Sequence, residues 1–182
     1  MQYGSFELYG ALGLEPRLAL DPGAIQRKFY EQSRQWHPDR FTRGTPAEQQ
    51  HALDMTALVN DSYRTLRDPV ARAEYFLKQN GLELSKDAPP ELLEEVFELN
   101  MALEELRGGD DSARPQLVEA QTRFESMRAG IDESLAGSFA NYDASRDPKV
   151  LDEIRATLNR RRYISNLLRD VNKELANVHV SN

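Results

Sequence analysis

Cysteine is absent from all 182 residues, which excludes disulfides, zinc knuckles and thiolate-held iron-sulfur clusters as features of this chain. Histidine is scarce, at three residues, and neither His51 nor His179 has a neighbouring carboxylate pattern that recommends it as a metal ligand. No apolar run approaches the roughly 20 residues of a bilayer span. The first residues, Met1-Gln2-Tyr3-Gly4, lack the basic start and apolar run of a secretory signal. A Gly-rich phosphate loop, a nucleophile elbow and a metal-ligand cluster are missing too. The expectation is a soluble cytoplasmic protein that is not an enzyme, with no catalytic residue, metal or cofactor.

What is present is enough to fold. Hydrophobic residues make up 40% and charged residues 29%, too apolar for wholesale disorder. The net charge of -7 is unevenly placed. Lys and Arg number 10 against 10 Asp and Glu from Met1 to Lys78, and 13 against 20 beyond it, so all the excess acid lies in the second part. Such asymmetry suggests two units with different partners. It also argues against nucleic acid, which takes a basic surface to displace counterions from phosphates. Arg160-Arg161-Arg162 is the one local exception, and on an acidic bundle it reads better as a solvated face.

A capping residue followed by proline recurs at Asp21-Pro22, Thr45-Pro46, Asp68-Pro69 and Asp147-Pro148. The side-chain oxygen satisfies an orphan amide, and proline loses nothing at the first helical position. Thr45 and Glu48 also match a capping box. Helices are expected over Ser5 to Leu12, Pro22 to Trp36, Pro46 to Leu66 and Pro69 to Asn80, the last stopped by Gly81. Ile25 and Phe29 share a face, and Met55, Val59, Tyr63 and Leu66 recur at helical spacing. Two such helices joined by the loop from His37 to Thr45 pack antiparallel, with Phe6, Leu8, Leu12 and Leu14 closing one end. No sheet signal competes.

A short linker over 81–90 separates this first unit, 1–80, from a second, 91–182. Leu92, Val96, Leu99, Leu103 and Leu106 form the seam of one helix, which Gly108-Gly109 ends. A second helix from Pro115 towards Tyr142 carries Leu117, Ala120, Phe124, Met127, Ile131, Leu135 and Phe139 inward, weakened by Gly130 and Gly137. A third, from Pro148 to about Val178, carries Ile154, Leu158, Ile164, Leu168, Val171 and Leu175. The fold class is all-α, a helical hairpin with short flanking helices followed by a three-helix bundle.

The tripeptide His37-Pro38-Asp39 lies in the loop between the hairpin helices, after a helix presenting Arg27, Lys28 and Arg34 and directly before Arg40. Proline stiffens the loop, Asp39 offers a carboxylate to an arginine, and the basic helix steers an encounter. A plainer reading has His37 capping a helix end, Asp39 accepting backbone hydrogen bonds and the arginines forming a solvated face. The context resembles a J-domain over about Met1 to Leu77. That resemblance implies that His37, Pro38 and Asp39 engage a DnaK-type ATPase chaperone, whose acidic surface meets the basic helix.

Arg67-Asp68-Pro69-Val70-Ala71-Arg72-Ala73-Glu74-Tyr75-Phe76-Leu77, followed by an acidic bundle, is similar to the HscB co-chaperones of bacterial type over nearly the whole chain. The resemblance implies an L-shaped molecule, the specialised chaperone HscA as partner, and an IscU-type iron-sulfur scaffold protein as cargo. It implies that ATP hydrolysis clamps the chaperone onto the scaffold and promotes cluster transfer. Two departures narrow it. Gln32, Ser33 and Gln35 dilute the basic helix relative to general J-domains, which fits a dedicated chaperone, and no cysteine is available for the amino-terminal metal segment of some eukaryotic relatives.

Beside the Leu92 seam runs a second stripe, Leu93, Phe97 and Met101, next to Glu94, Glu98 and Glu105. One seam suffices for packing, so the surplus stripe is either a docking surface with a polar rim or one edge of a widely buried arc. The HscB resemblance implies scaffold docking on Leu93, Phe97, Glu98, Met101, Glu105, Arg162 and Tyr163. A general J-domain co-chaperone recruiting a different client to a DnaK-type chaperone is the alternative function.

Overall fold

Capping chemistry sets where the helices of this computed structural model begin. It describes residues 6–85 and 87–177, and every regular element among them is helical. A short helix α1 (Glu7–Ala11) comes first, with Leu12 as its C-cap; the expected start at Ser5 lies outside the described residues. α2 (Pro22–Gln35) starts where the Asp21 carboxylate accepts the amides of Gly23 at 3.3 Å and Ala24 at 2.8 Å. α3 (Pro46–Arg67) opens on a complete capping box. Thr45 Oγ1 accepts the Glu48 amide at 3.3 Å, and Glu48 Oε2 accepts the Thr45 amide at 2.7 Å. The backbone bond from Thr45, then the side-chain bond, hold the Glu48 carboxyl below its usual range.

α4 (Pro69–Gln79) is capped by Asp68, which accepts the Ala71 amide at 2.7 Å. Gly81 takes φ 74 just past its end, while Gly81 and Leu82 donate to the carbonyls of Lys78 and Leu77 at 3.0 and 2.9 Å. This is a Schellman stop, in which a residue with a Cβ at position 81 is strained. α2 and α3 pack antiparallel: Phe29 stacks on Tyr63 at 4.2 Å, and the Thr56 hydroxyl donates to the Trp36 carbonyl at 2.9 Å. Leu12, Ile25, Val59, Leu66, Phe76 and Leu77 are buried between the elements, and Phe6 lies 5.1 Å from the Phe76 ring.

One charged side chain is inside this unit. Arg72 is 5% exposed, and its guanidinium donates to the carbonyls of Leu18 at 2.8 Å and Leu66 at 2.6 Å, tying α4 to the α1–α2 loop and the end of α3. Burial pulls its pKa down, against the opposing influence of Tyr9, Asp68 and Asp143. Burial likewise pushes the Tyr9 and Tyr75 hydroxyls above their ordinary range; Tyr9 donates to the Arg17 carbonyl at 2.8 Å.

The other three helices are α5 (Leu93–Arg107), α6 (Arg114–Ser145) and α7 (Pro148–Asn177). Val178, the expected end of α7, lies outside the described residues. The chain resolves into two units, one of Met1–Glu83 with Phe139–Asp147, the other of Leu84–Ser138 with Pro148–Asn182. Where the sequence reading draws a boundary at 81–90, the end of α6 therefore packs within the first unit. Asp143 there accepts the amides of Leu18 at 3.1 Å and Ala19 at 2.8 Å, and Tyr142 meets Phe76 edge-on at 5.7 Å.

The second unit closes around Leu92, Leu99, Leu103 and Leu106, with Leu117 and Phe124 from α6 and Ile164, Leu168 and Val171 from α7. Polar ties join the helices at Gln121–Asn172, 2.6 Å, at Arg107–Glu174, 2.9 Å, and at Arg161–Asp132. α6 runs unbroken through Gly130 and Gly137, and nothing lies within 4 Å of a Cβ added at either. Because interior glycine costs a helix about 1 kcal/mol relative to alanine, Gly130→Ala with Gly137→Ala is expected to stabilise the protein by about 1–2 kcal/mol. Thermal denaturation followed by circular dichroism checks this; an unchanged or lower midpoint rejects it.

Candidate functional site

A proline forces its predecessor out of the helical region, and His37 accordingly sits at φ -59, ψ 128, where α2 has ended. Pro38–Phe41 then form a 3-10 helix, which sequence periodicity missed because four residues carry too little of a pattern. His37 caps it: Nδ1 accepts the Asp39 amide at 3.3 Å. In the neutral ring an acceptor at Nδ1 leaves the proton on Nε2, so His37 combines a capping role with a remaining donor. The Asp39 carboxylate, 86% exposed, stands 3.5 Å from Nδ1.

The loop is braced from below. Trp36 stacks parallel to Phe41 with centroids 6.1 Å apart, and His51 meets Trp36 edge-on at 5.2 Å. Arg40 donates to the Arg34 carbonyl at 3.3 Å, and the Thr42 hydroxyl donates to the Asp39 carbonyl at 3.2 Å. On α2, Arg27 faces Asp21 at 3.5 Å and Lys28 pairs with Glu31 at 2.9 Å, while Arg34 is exposed in the last turn. Exposed pairs of this kind contribute about 0–1 kcal/mol, so a partner's carboxylates can replace the local ones at small cost.

On α5 the two stripes part company. Leu99, Leu103 and Leu106 are buried, whereas Leu93, Phe97 and Met101 are 55%, 66% and 49% exposed. The three exposed residues are spaced by four, one face of the helix, with Glu94, Glu98 and Glu105 exposed around them. A widely buried arc is thereby excluded. Tyr163 is partly buried against the bundle core, and Arg162 donates from Nη2 to the Ser85 carbonyl. A cavity of about 330 Å³ beside them is lined by Ser85, Asp87, Asn159, Arg162, Tyr163 and Asn166. Asn159 and Asn166 gave no signal in the sequence, because a lone amide on a helix carries no pattern, and Ser85 and Asp87 read only as linker residues. Among the described residues no group of three or more His, Cys, Asp or Glu is placed to hold a metal, and no helix is long and apolar enough to cross a membrane.

The DnaJ domain family matches residues 7–75, and the family described as HSCB C-terminal oligomerisation domain matches residues 88–172. Co-chaperone protein HscB homologs from Vibrio vulnificus strains YJ016 and CMCP6 are each 32% identical over 154 residues, spanning 82% of this chain and 86% of theirs. This chain belongs to the HscB co-chaperone family. As an HscB-family J-domain protein it is a co-chaperone that partners an ATPase chaperone of the DnaK type. The solved structure of chaperone HscB from Vibrio cholerae aligns with TM-score 0.64 at 26% identity, covering 94% of this chain and 98% of that one. The crystal structure of human co-chaperone protein HscB, at 22% identity, aligns with TM-score 0.67 over 94% of this chain and 83% of its own, which speaks for the HscB fold alone.

Proposed function

We propose that this HscB-family chain stimulates an HscA/DnaK-type chaperone through His37, Pro38 and Asp39, and delivers an IscU-type iron-sulfur scaffold protein to it, supporting cluster assembly and transfer. The observation that carries the cargo half is the unburied row Leu93, Phe97 and Met101 on a helix whose opposite face is fully packed. Three large apolar side chains left in water beside exposed carboxylates are unfavourable unless a partner covers them. Glu98, Glu105, Arg162 and Tyr163 complete the proposed docking surface. On the chaperone side, Arg27, Lys28, Arg34 and Arg40 steer the encounter, and the exposed Asp39 carboxylate pairs with an arginine of the ATPase.

Reconstitution tests both halves together. ATP turnover by the purified chaperone is measured with this chain, with the scaffold, and with both, alongside a pull-down from the source organism's lysate. The expected result is modest stimulation by this chain alone, a larger rise with both, and recovery of chaperone and scaffold. Recovery of the chaperone without the scaffold points to a general J-protein with another client. The chaperone contact is also expected to weaken several-fold between about 0.1 M and about 1 M salt, as the Debye length shrinks from roughly 10 Å to 3 Å. A flat salt response in a binding titration removes the steering role of the basic helix.

A further inference from the structure

The segment leading into α5 is held on α7 through one residue. The Ser85 amide donates to Asn159 Oδ1 at 2.8 Å, and the Ser85 carbonyl accepts from Nη2 of Arg162. Asn159 and Arg162 are three apart and so share a face of α7; between them they take both backbone groups of Ser85. A tight turn follows, in which the Ser85 hydroxyl accepts the Asp87 amide at 3.1 Å and donates to the Asp87 carboxylate at 3.2 Å.

The six-residue cavity beside this latch is rich in donors. The carbonyl end of Asn159 is taken by Ser85, and among the described residues its NH₂ group has no hydrogen-bond partner. Arg162 commits Nη2 to the Ser85 carbonyl, and among the described residues no other acceptor is taken by its guanidinium. Asn166 brings a second amide and Tyr163 a hydroxyl; Asp87 brings one carboxylate, which accepts the Ser85 hydroxyl and keeps its negative charge. The guanidinium of Arg162 with the neutral donors of Asn159, Tyr163 and Asn166 outnumbers the single Asp87 carboxylate, so the wall suits an incoming carboxylate.

We infer that the cavity is a subsite for an acidic side chain of the docked scaffold, and that Asn159 is a positioning residue which, through Ser85, holds Arg162 in place for it. This rests on the docking reading above and adds the chemistry of one contact. An arginine fixed before the encounter loses less rotamer freedom on binding than a loose one, which sets the expected size of the effect at about 3- to 10-fold in affinity.

The test is calorimetric titration of the full chain with a purified IscU-type scaffold protein. Asn159→Ala is expected to bind about 3- to 10-fold more weakly, with an unchanged melting midpoint and faster hydrogen exchange at the Ser85 amide. In an Arg162→Ala background the same substitution is expected to have no further effect, because its action passes through the guanidinium. Arg162→Glu is expected to bind at least about 10-fold more weakly than Arg162→Ala, through repulsion between like charges. If Asn159→Ala lowers the melting midpoint, Asn159→Ser is measured instead and the same outcomes apply. Wild-type affinity for the Asn159 variant, or full additivity with Arg162→Ala, overturns the positioning role. Equal affinities for Arg162→Glu and Arg162→Ala overturn the carboxylate. If every Arg162 variant binds normally while Leu93→Ala with Phe97→Ala does not, the subsite falls and the docking surface stands; if none of them weakens binding, the docking reading itself falls.

Discussion

Asp39→Asn is expected to leave the helical content and melting midpoint of the protein unchanged and to reduce stimulation of the chaperone ATPase to the basal rate. The carboxylate is 86% exposed and its one described side-chain neighbour is His37 Nδ1 at 3.5 Å, so the fold has almost nothing to lose. The interface has much more. Truncating one member of a buried charge pair costs about 2–5 kcal/mol, which is roughly 30-fold to several thousand-fold in affinity. Asparagine keeps the shape and removes the charge, which isolates the electrostatic part of the contact. His37→Gln is expected to give the same loss of stimulation for a second reason, since it removes the imidazole acceptor that caps Pro38–Phe41 as well as the Nε2 donor. Steady-state ATP turnover against circular dichroism on the same samples is the measurement. Full stimulation by either variant ends the trigger role of this loop.

Leu93→Ala with Phe97→Ala is expected to weaken scaffold binding by on the order of 100-fold or more, if each side chain contributes the 1–2 kcal/mol or more typical of buried interface anchors. Basal stimulation of the chaperone, which depends on His37 to Arg40, is expected to stay within error of wild type. So is the melting midpoint, because side chains 55% and 66% exposed leave no cavity when they are shortened. Leu99→Ala on the opposite face is the contrast: that residue is 3% exposed, and its removal is expected to cost about 2–5 kcal/mol of stability. A double variant that melts early puts Leu93 and Phe97 in the packing of the bundle. One that binds the scaffold normally removes the docking surface.

Helix starts at Asp21, Thr45 and Asp68 were readable in advance because a cap is a local event, settled within four residues of chain. The tripeptide at 37–39 was readable for the same reason, being three adjacent residues, but that His37 N-caps a following 3-10 turn through Nδ1 was not. The 3-10 helix at Pro38–Phe41 was not, being shorter than one period of any pattern. Arg72 stands inside the Arg67–Leu77 motif, yet its burial is invisible in sequence, since it depends on the carbonyls of Leu18 and Leu66, brought to it from 54 and 6 residues away.

Sequence alone determined the helical class, the order and approximate limits of the helices, the composition of the trigger loop and the acidic character of the bundle, all properties of neighbours along the chain. Tertiary structure alone decided that the second apolar stripe on α5, Leu93, Phe97 and Met101, is left in water rather than covered, because that depends on where α6 and α7 lie. It also decided that Asp143 joins the first unit, by accepting two amides from residues 124 and 125 positions earlier, and that Arg162 and Asn159 converge on Ser85. A periodic pattern records that a face is apolar; only the packed neighbours determine whether that face is covered.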